Sequence, residues 1–401
     1  MSDLKTFVFA AAVLSALGGG AFACGDEEAT VRPRLDGGGI DELDGAPNDE
    51  GGPGTGALAC GAALPETFES VGFATNAAVE LALGQRVREL DAAMAATEGT
   101  STAVETAANL GAIFNAGAPS LRTVATTFTQ TTVDGYLTAF GAAGGKTWEP
   151  TDAEADGGAA TGGKYGQLFY ESPVGVDLRA AIGKALLGGA LYNHVLGLVA
   201  APVSADATVD RLVAAFGASP ALANRTDLDA GVDGDRLLAE LASKRDDKSL
   251  PAPGIYRRMR TAILTMKGGL VDATKCRADI DGAVATFLLE WERATYASAI
   301  YSLAAAGVAA ATADPTKGPV ALHAYGDALG LIQSFKGLPA DKRRITDAQI
   351  DALLTKIGAD TPYRLVTSPG TRVLALGEAI NDIALYEGFD AAAVEAFRKS
   401  F

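Results

Sequence analysis

His323 and Asp327 lie four residues apart. On a helix both side chains would leave the same face, one turn from each other. An imidazole and a carboxylate so placed are ligands for zinc or iron, although two ligands do not complete a site. Glu290, on an earlier helix-forming segment, would supply a third. The competing reading is a histidine oriented by a carboxylate inside a helical interface, because the chain holds only 2 histidines. A second acidic run is Asp229-Ala-Gly231-Val-Asp233-Gly234-Asp235-Arg-Leu-Leu-Ala-Glu240. Calcium loops place oxygen ligands at positions 1, 3, 5 and 12, with glycine at 6. Asp229, Asp233, Gly234 and Glu240 meet positions 1, 5, 6 and 12, and Asp235 adds a carboxylate beside them. Gly231 leaves position 3 without a ligand, and Arg236 brings a charge where an apolar residue usually sits. The plainer expectation there is an Asx turn capping a helix from Arg236.

Other reactive types form weaker patterns. Lys244-Arg245-Asp246-Asp247 could anchor an anion, or form interhelical ion pairs, the commoner fate of such runs. Gly141-Ala-Ala-Gly144-Gly145-Lys146-Thr147 lacks the first glycine and the preceding strand of a phosphate loop. No serine or cysteine stands in a recognisable nucleophile motif, and no C-x-x-C occurs.

The elements that must carry these residues read as helices. The run from Thr274 to Thr312 holds no proline and keeps its charges largely in its first half. Wound at about 100° per residue, it aligns Ile280, Val284, Phe287, Trp291, Ala294 and Ser298 on one side. Asp281 and Glu292 fall on the other. Its second half is small or apolar nearly all round, as in a helix buried within a bundle. Further helices are expected over Thr75–Thr97, Ser101–Phe114, Leu121–Phe140, Val209–Gly217 and Arg236–Lys244, and from an Asp177 cap to Val199. Pro319 would open a helix that Gly337 closes. Thr346 with Gln349 forms a capping box for a helix ended by Gly358. Two more helices, near Arg372–Tyr386 and Asp390–Lys399, finish the chain. Strand-like alternation nowhere exceeds a few residues.

Composition agrees. Of 401 residues, 48% are hydrophobic and 20% charged, enough for a large core, while aromatics reach only 7%. An alanine-dominated apolar set suits closely approaching helices better than a β-sandwich. The formal charge of −16 argues against nucleic acid as a partner, since holding phosphate backbones takes clustered Lys and Arg.

The start of the chain reads as an export address. Lys5 precedes an apolar run from Thr6 to Leu17, and small residues at Ala21 and Ala23 precede Cys24. Residues 1–23 are therefore expected to be a signal peptide, with Cys24 the lipidated residue that anchors the protein to a membrane; plain secretion is the alternative. Residues 24–60 are rich in Gly, Asp and Glu, and are expected to form a disordered tether reaching roughly 30–35 Å. Residues 61–200 and 201–401 then make two helical halves. In an oxidising compartment Cys60 and Cys276 could pair; two separate thiols are the alternative.

Leu241-Ala-Ser-Lys-Arg-Asp246, the central Trp291-Glu-Arg-Ala294 and Leu322-His-Ala-Tyr-Gly-Asp327 together resemble the imelysin-like lipoproteins. The resemblance is to the branch known only as a domain of unknown function, and it covers roughly residues 70–358. It implies an all-α bundle of two packed halves, exported and held at the outer membrane facing the periplasm or the cell surface. It also implies a link to iron or other metal acquisition, with calcium, iron or zinc as the candidate ions. The peptidase-type members carry G-x-H-x-x-E. His194 is followed three residues later by Gly197 and His323 by Gly326, so a metal-dependent peptidase is the alternative rather than the expected function. A structural surface lipoprotein is the third.

Overall fold

Alanine-rich, proline-poor segments bury best by laying small-faced helices side by side, and the computed structural model of the chain is helical in this way. It describes residues 56–99, 105–153, 161–166, 169–220, 222, 234–246, 252–312, 314 and 316–399. The expected signal peptide, Cys24, nearly all of the tether, Asp229 and Asp233 lie outside the described residues.

The helices are α1 (Ala78–Gly99), α2 (Ala107–Asn115), α3 (Thr127–Ala143), α4 (Leu178–Leu186), α5 (Asn193–Leu198), α6 (Asp206–Phe216) and α7 (Leu237–Lys244). They continue as α8 (Ile255–Gly269), α9 (Arg277–Ala310), α10 (Lys317–Gln333), α11 (Asp347–Ile357), α12 (Pro369–Glu387) and α13 (Ala391–Phe397). A two-stranded antiparallel hairpin, β1 (Gly163–Tyr165) with β2 (Phe169–Glu171), pairs Gly163 with Glu171.

The long helix α9 is the axis, packed against α8, α10 and α12. Ile280, Phe287, Trp291, Ala294 and Ser298 are buried on it, as the periodicity predicts. Phe216, Phe287 and Trp291 meet around it with ring centroids 5.8–6.1 Å apart. Residues on both sides of position 200 share this core, within one unit from Pro53 to Phe401. No described helix is long and apolar enough to cross a membrane.

Several boundaries follow local rules. Asp177 caps α4 through a bond from the Ala180 N–H (2.9 Å). Thr346 and Gln349 close the expected capping box, and Gly358 ends α11 in the left-handed region. Others differ. The helix expected over Leu121–Phe140 is broken at Ala125, whose extended backbone separates a single turn (Leu121–Val124) from α3. Between α4 and α5 the chain winds as a π-helix, Leu187–Tyr192. Here the Gly189 carbonyl accepts the Thr126 N–H (2.8 Å), and the Val124 carbonyl accepts from the Asn193 amide (2.8 Å). Helix α10 starts two residues before Pro319 and ends at Gln333, ahead of Gly337. Sequence periodicity places no helix between Lys244 and Thr274, yet α8 is there and is largely buried. Glu292, expected on a polar side, is 1% exposed. Its carboxyl oxygens accept the Arg344 and Ile345 N–H groups (2.8 and 2.9 Å), which gives a buried polar group the donors it needs.

Candidate functional site

The crossing of α4 and α10 assembles the group around His323. The segment Glu171-Ser-Pro-Val-Gly-Val-Asp177 folds back on itself: the Gly175 N–H reaches the Ser172 carbonyl (2.9 Å), with Gly175 at φ 86°. The turn sets Glu171 opposite Asp177 in an antiparallel bridge. On α10, a side chain at Gly326 would stand 3.0 Å from Asp177, and one at Gly330 2.5 Å from the Ala181 carbonyl. Glycine at these two places lets the helices touch. Their approach brings His323 Nδ1 to 2.7 Å from Asp177 Oδ2, and the Lys184 ammonium to 3.3 Å from Asp327. Arg179, the second residue of α4, reaches back to Glu98 (2.7 Å) and Asp91 (3.0 Å) on α1.

Charge is concentrated here with little water. Asp177 and Glu171 are fully buried, whereas the His323 side chain keeps 31% of its exposure. Burial pulls His323 toward the neutral form, but the Asp177 hydrogen bond and the charges of Asp177 and Asp327 outweigh it and raise its pKa. Burial pushes the Glu171 carboxyl well above the usual range, with Asp177 and Glu98 adding to the rise. Neither Glu171 oxygen has a hydrogen-bond partner among the described residues. A carboxyl whose burial favours its protonated form therefore sits beside a histidine whose pairing with Asp177 favours the imidazolium. Both groups favour a bound proton, which a metal would have to displace.

The expected metal ligands are dispersed. Asp327 turns to Lys184 rather than to His323's imidazole. Glu290 is 2% exposed and is gripped by Arg258 through both oxygens (2.9 and 2.7 Å) and by Arg293 (3.2 Å). The histidine is indeed oriented by an aspartate in a helical interface, but the aspartate is Asp177. Of the calcium-type run, Asp235 accepts the Ser219 N–H (2.8 Å) and Glu240 pairs with Lys244 (2.6 Å). Helix α7 has Arg236 at its N-cap position, and the Arg236 side chain makes no cap bond. The Lys244–Asp246 run serves packing. Arg245 stacks 3.9 Å over Tyr301, and buried Asp246 pairs with Arg257 of α8 (3.0 Å).

Among the described residues, three potential ligands converge only at Cys60, Cys276 and Asp279. The two sulfurs are joined in a disulfide, and Asp279 accepts the Ala59 and Cys60 N–H groups (3.3 and 2.9 Å). The second histidine repeats the theme of the first. His194 lies 2.7 Å from buried Glu80, which also accepts from Arg211 (2.9 Å). Burial raises the Glu80 pKa, but the bonds from His194 and Arg211 overcome it and the net shift is downward. Sequence reading misses Glu171 and Glu80. The signal for Glu171 was its place before a Pro-x-Gly turn with an acid on the far side; Glu80 carried none.

The fold and its charged crossings define a disulfide-linked protein of the all-α class whose histidines are each seated on a buried carboxylate. No family model matches the sequence, and neither the curated proteins nor the solved structures contain a significant match to it.

Proposed function

We propose that the chain is an exported helical binding protein, tethered to the bacterial envelope through a lipid on Cys24, in keeping with its resemblance to imelysin-like lipoproteins. The observation that carries this reading is the Cys60–Cys276 disulfide, which spans 216 residues. Such bonds persist in oxidising compartments, beyond the cytoplasm. This one clamps the point where the tether would join the folded body onto the start of α9, the axis of the core. A pull on the tether would then be borne by the long central helix rather than by a fraying terminus. Metal-dependent hydrolysis draws less support, because Asp327 and Glu290 are each committed to cations rather than turned toward His323.

The test is expression of the full chain with its own N-terminus in a bacterium with two membranes. Labelling with a fatty-acid analogue should mark the protein and place it in the membrane fraction, and Cys24→Ser should abolish both. Peptide mapping should recover Cys60 linked to Cys276. An unprocessed cytoplasmic protein with both thiols free would refute the proposal.

A further inference from the structure

A cleft of about 480 Å³ lies where α12 begins, lined by Arg364, Ser368, Thr371, Arg372 and Ala375. Two guanidinium groups and two hydroxyls share it, and among the described residues no carboxylate lines it. We propose that this cleft binds a phosphate-class oxyanion, either a free phosphate or phosphomonoester or the headgroup of an anionic phospholipid.

The surroundings hold the arginines without neutralising Arg372. Its Nη2 donates to the Thr361 hydroxyl (2.9 Å), and among the described residues no carboxylate pairs with it. Its guanidinium lies against Gly358, where a Cβ would stand 1.9 Å from Nη1, so the glycine that ends α11 also makes room for the cation. Arg364 donates from Nε to the Tyr363 hydroxyl (3.3 Å), and its guanidinium lies 5.8 Å from that ring's centroid. Planar guanidinium groups match the oxygens of phosphate through paired N–H donors, which a lysine ammonium cannot reproduce. Ser368 precedes a 19-residue helix and its side chain does not cap it. The first free N–H groups of that helix, after Pro369, are thus left to add donors and a partial positive charge at the cleft. Ser368 and Thr371 supply hydroxyl donors beside them.

The experiment uses the purified full chain and three probes: inorganic phosphate, glycerol 3-phosphate, and phosphatidylcholine vesicles with or without phosphatidic acid. Calorimetry for the soluble probes and co-sedimentation for the vesicles should show saturable binding that weakens as sodium chloride rises. Arg364→Gln with Arg372→Gln should lower affinity at least tenfold, and Arg372→Lys should fall between this pair and the parent. Binding of the soluble probes assigns a free ligand, and binding of acidic vesicles alone assigns a headgroup. Far-UV circular dichroism checks that the variants fold. Should Arg372→Gln unfold the protein, exposed Arg364→Gln alone carries the comparison. No saturable binding of any probe, or binding unchanged by these substitutions, overturns the proposal. Neither result depends on whether Cys24 is lipidated.

Discussion

Glu171 and Asp177 face each other across an antiparallel bridge, both shut off from solvent. Opposed residues on such a bridge share one face, and two anions there repel with little water to screen them. Burial favours the protonated form at Glu171, which relieves that repulsion. Asp177 accepts from the Ala180 N–H and lies against His323, while Glu171 has neither partner and burial pushes its carboxyl toward the protonated form.

Glu171→Gln should therefore change how stability depends on pH. A carboxyl whose folded pKa is raised binds its proton more tightly when folded, so stability declines as pH climbs from its unfolded value of 4.5 toward the folded one. Glutamine removes that decline. Urea unfolding should show parent and variant similar near about pH 4, with the variant the more stable near about pH 8. A variant equally destabilised at both would mean that the carboxyl is needed for packing instead.

His323 carries the opposite charge type with the same sense of pH dependence. Its raised folded pKa means its contribution is complete below the ordinary value of 6.5 and is lost as pH rises through the folded value. His323→Gln should cost about 2 kcal/mol below pH 6, the worth of a hydrogen bond between charged groups, and less at alkaline pH. Nitrogen-detected NMR titration of the parent should show a transition above the unperturbed range. A midpoint below it would contradict the Asp177 pairing.

Cys276→Ser opens a cross-link spanning 216 residues. On the chain-entropy account, the loss should approach about 5 kcal/mol, read as a lower denaturant midpoint. The same drop should follow reduction of the parent and be absent when the variant is reduced. Limited proteolysis should cut first near residues 56–64, which lose their clamp to α9.

The two glycines in the α4–α10 region separate close approach from helix propensity. Gly330→Ala sets a methyl 2.5 Å from the Ala181 carbonyl and 2.8 Å from Lys184 Cβ, which should cost about 1–3 kcal/mol. It should also loosen the His323–Asp177 bond and lower the His323 pKa. Gly183→Ala, in α4 with nothing within 4 Å, should gain up to about 1 kcal/mol. Equal effects of the two in thermal unfolding would mean the helices do not meet as described.

Local chemistry decided much of the architecture. The Asp177 cap, the Thr346–Gln349 box and the Gly358 stop depend on neighbours a few residues away, and each stands where its sequence places it. The buried face of α9 follows from a repeat of apolar side chains that one turn of helix brings into line. Glu292 shows where that reasoning ends: an acid counts as exposed in any periodicity, but the N–H groups that satisfy it come from a loop 52 and 53 residues away.

The sequence by itself determined that the chain is helical, that its long Trp291 segment is central, and that two histidines and two late cysteines were the residues worth following. Only the tertiary structure decided their partners. His323 meets Asp177 across 146 residues, His194 meets Glu80 across 114, and Cys60 meets Cys276 across 216. The physical reason is that spacing along a helix sets which side chains share a face. Which faces then meet depends on how closely two backbones can approach, and on whether a buried charge finds its counterion there.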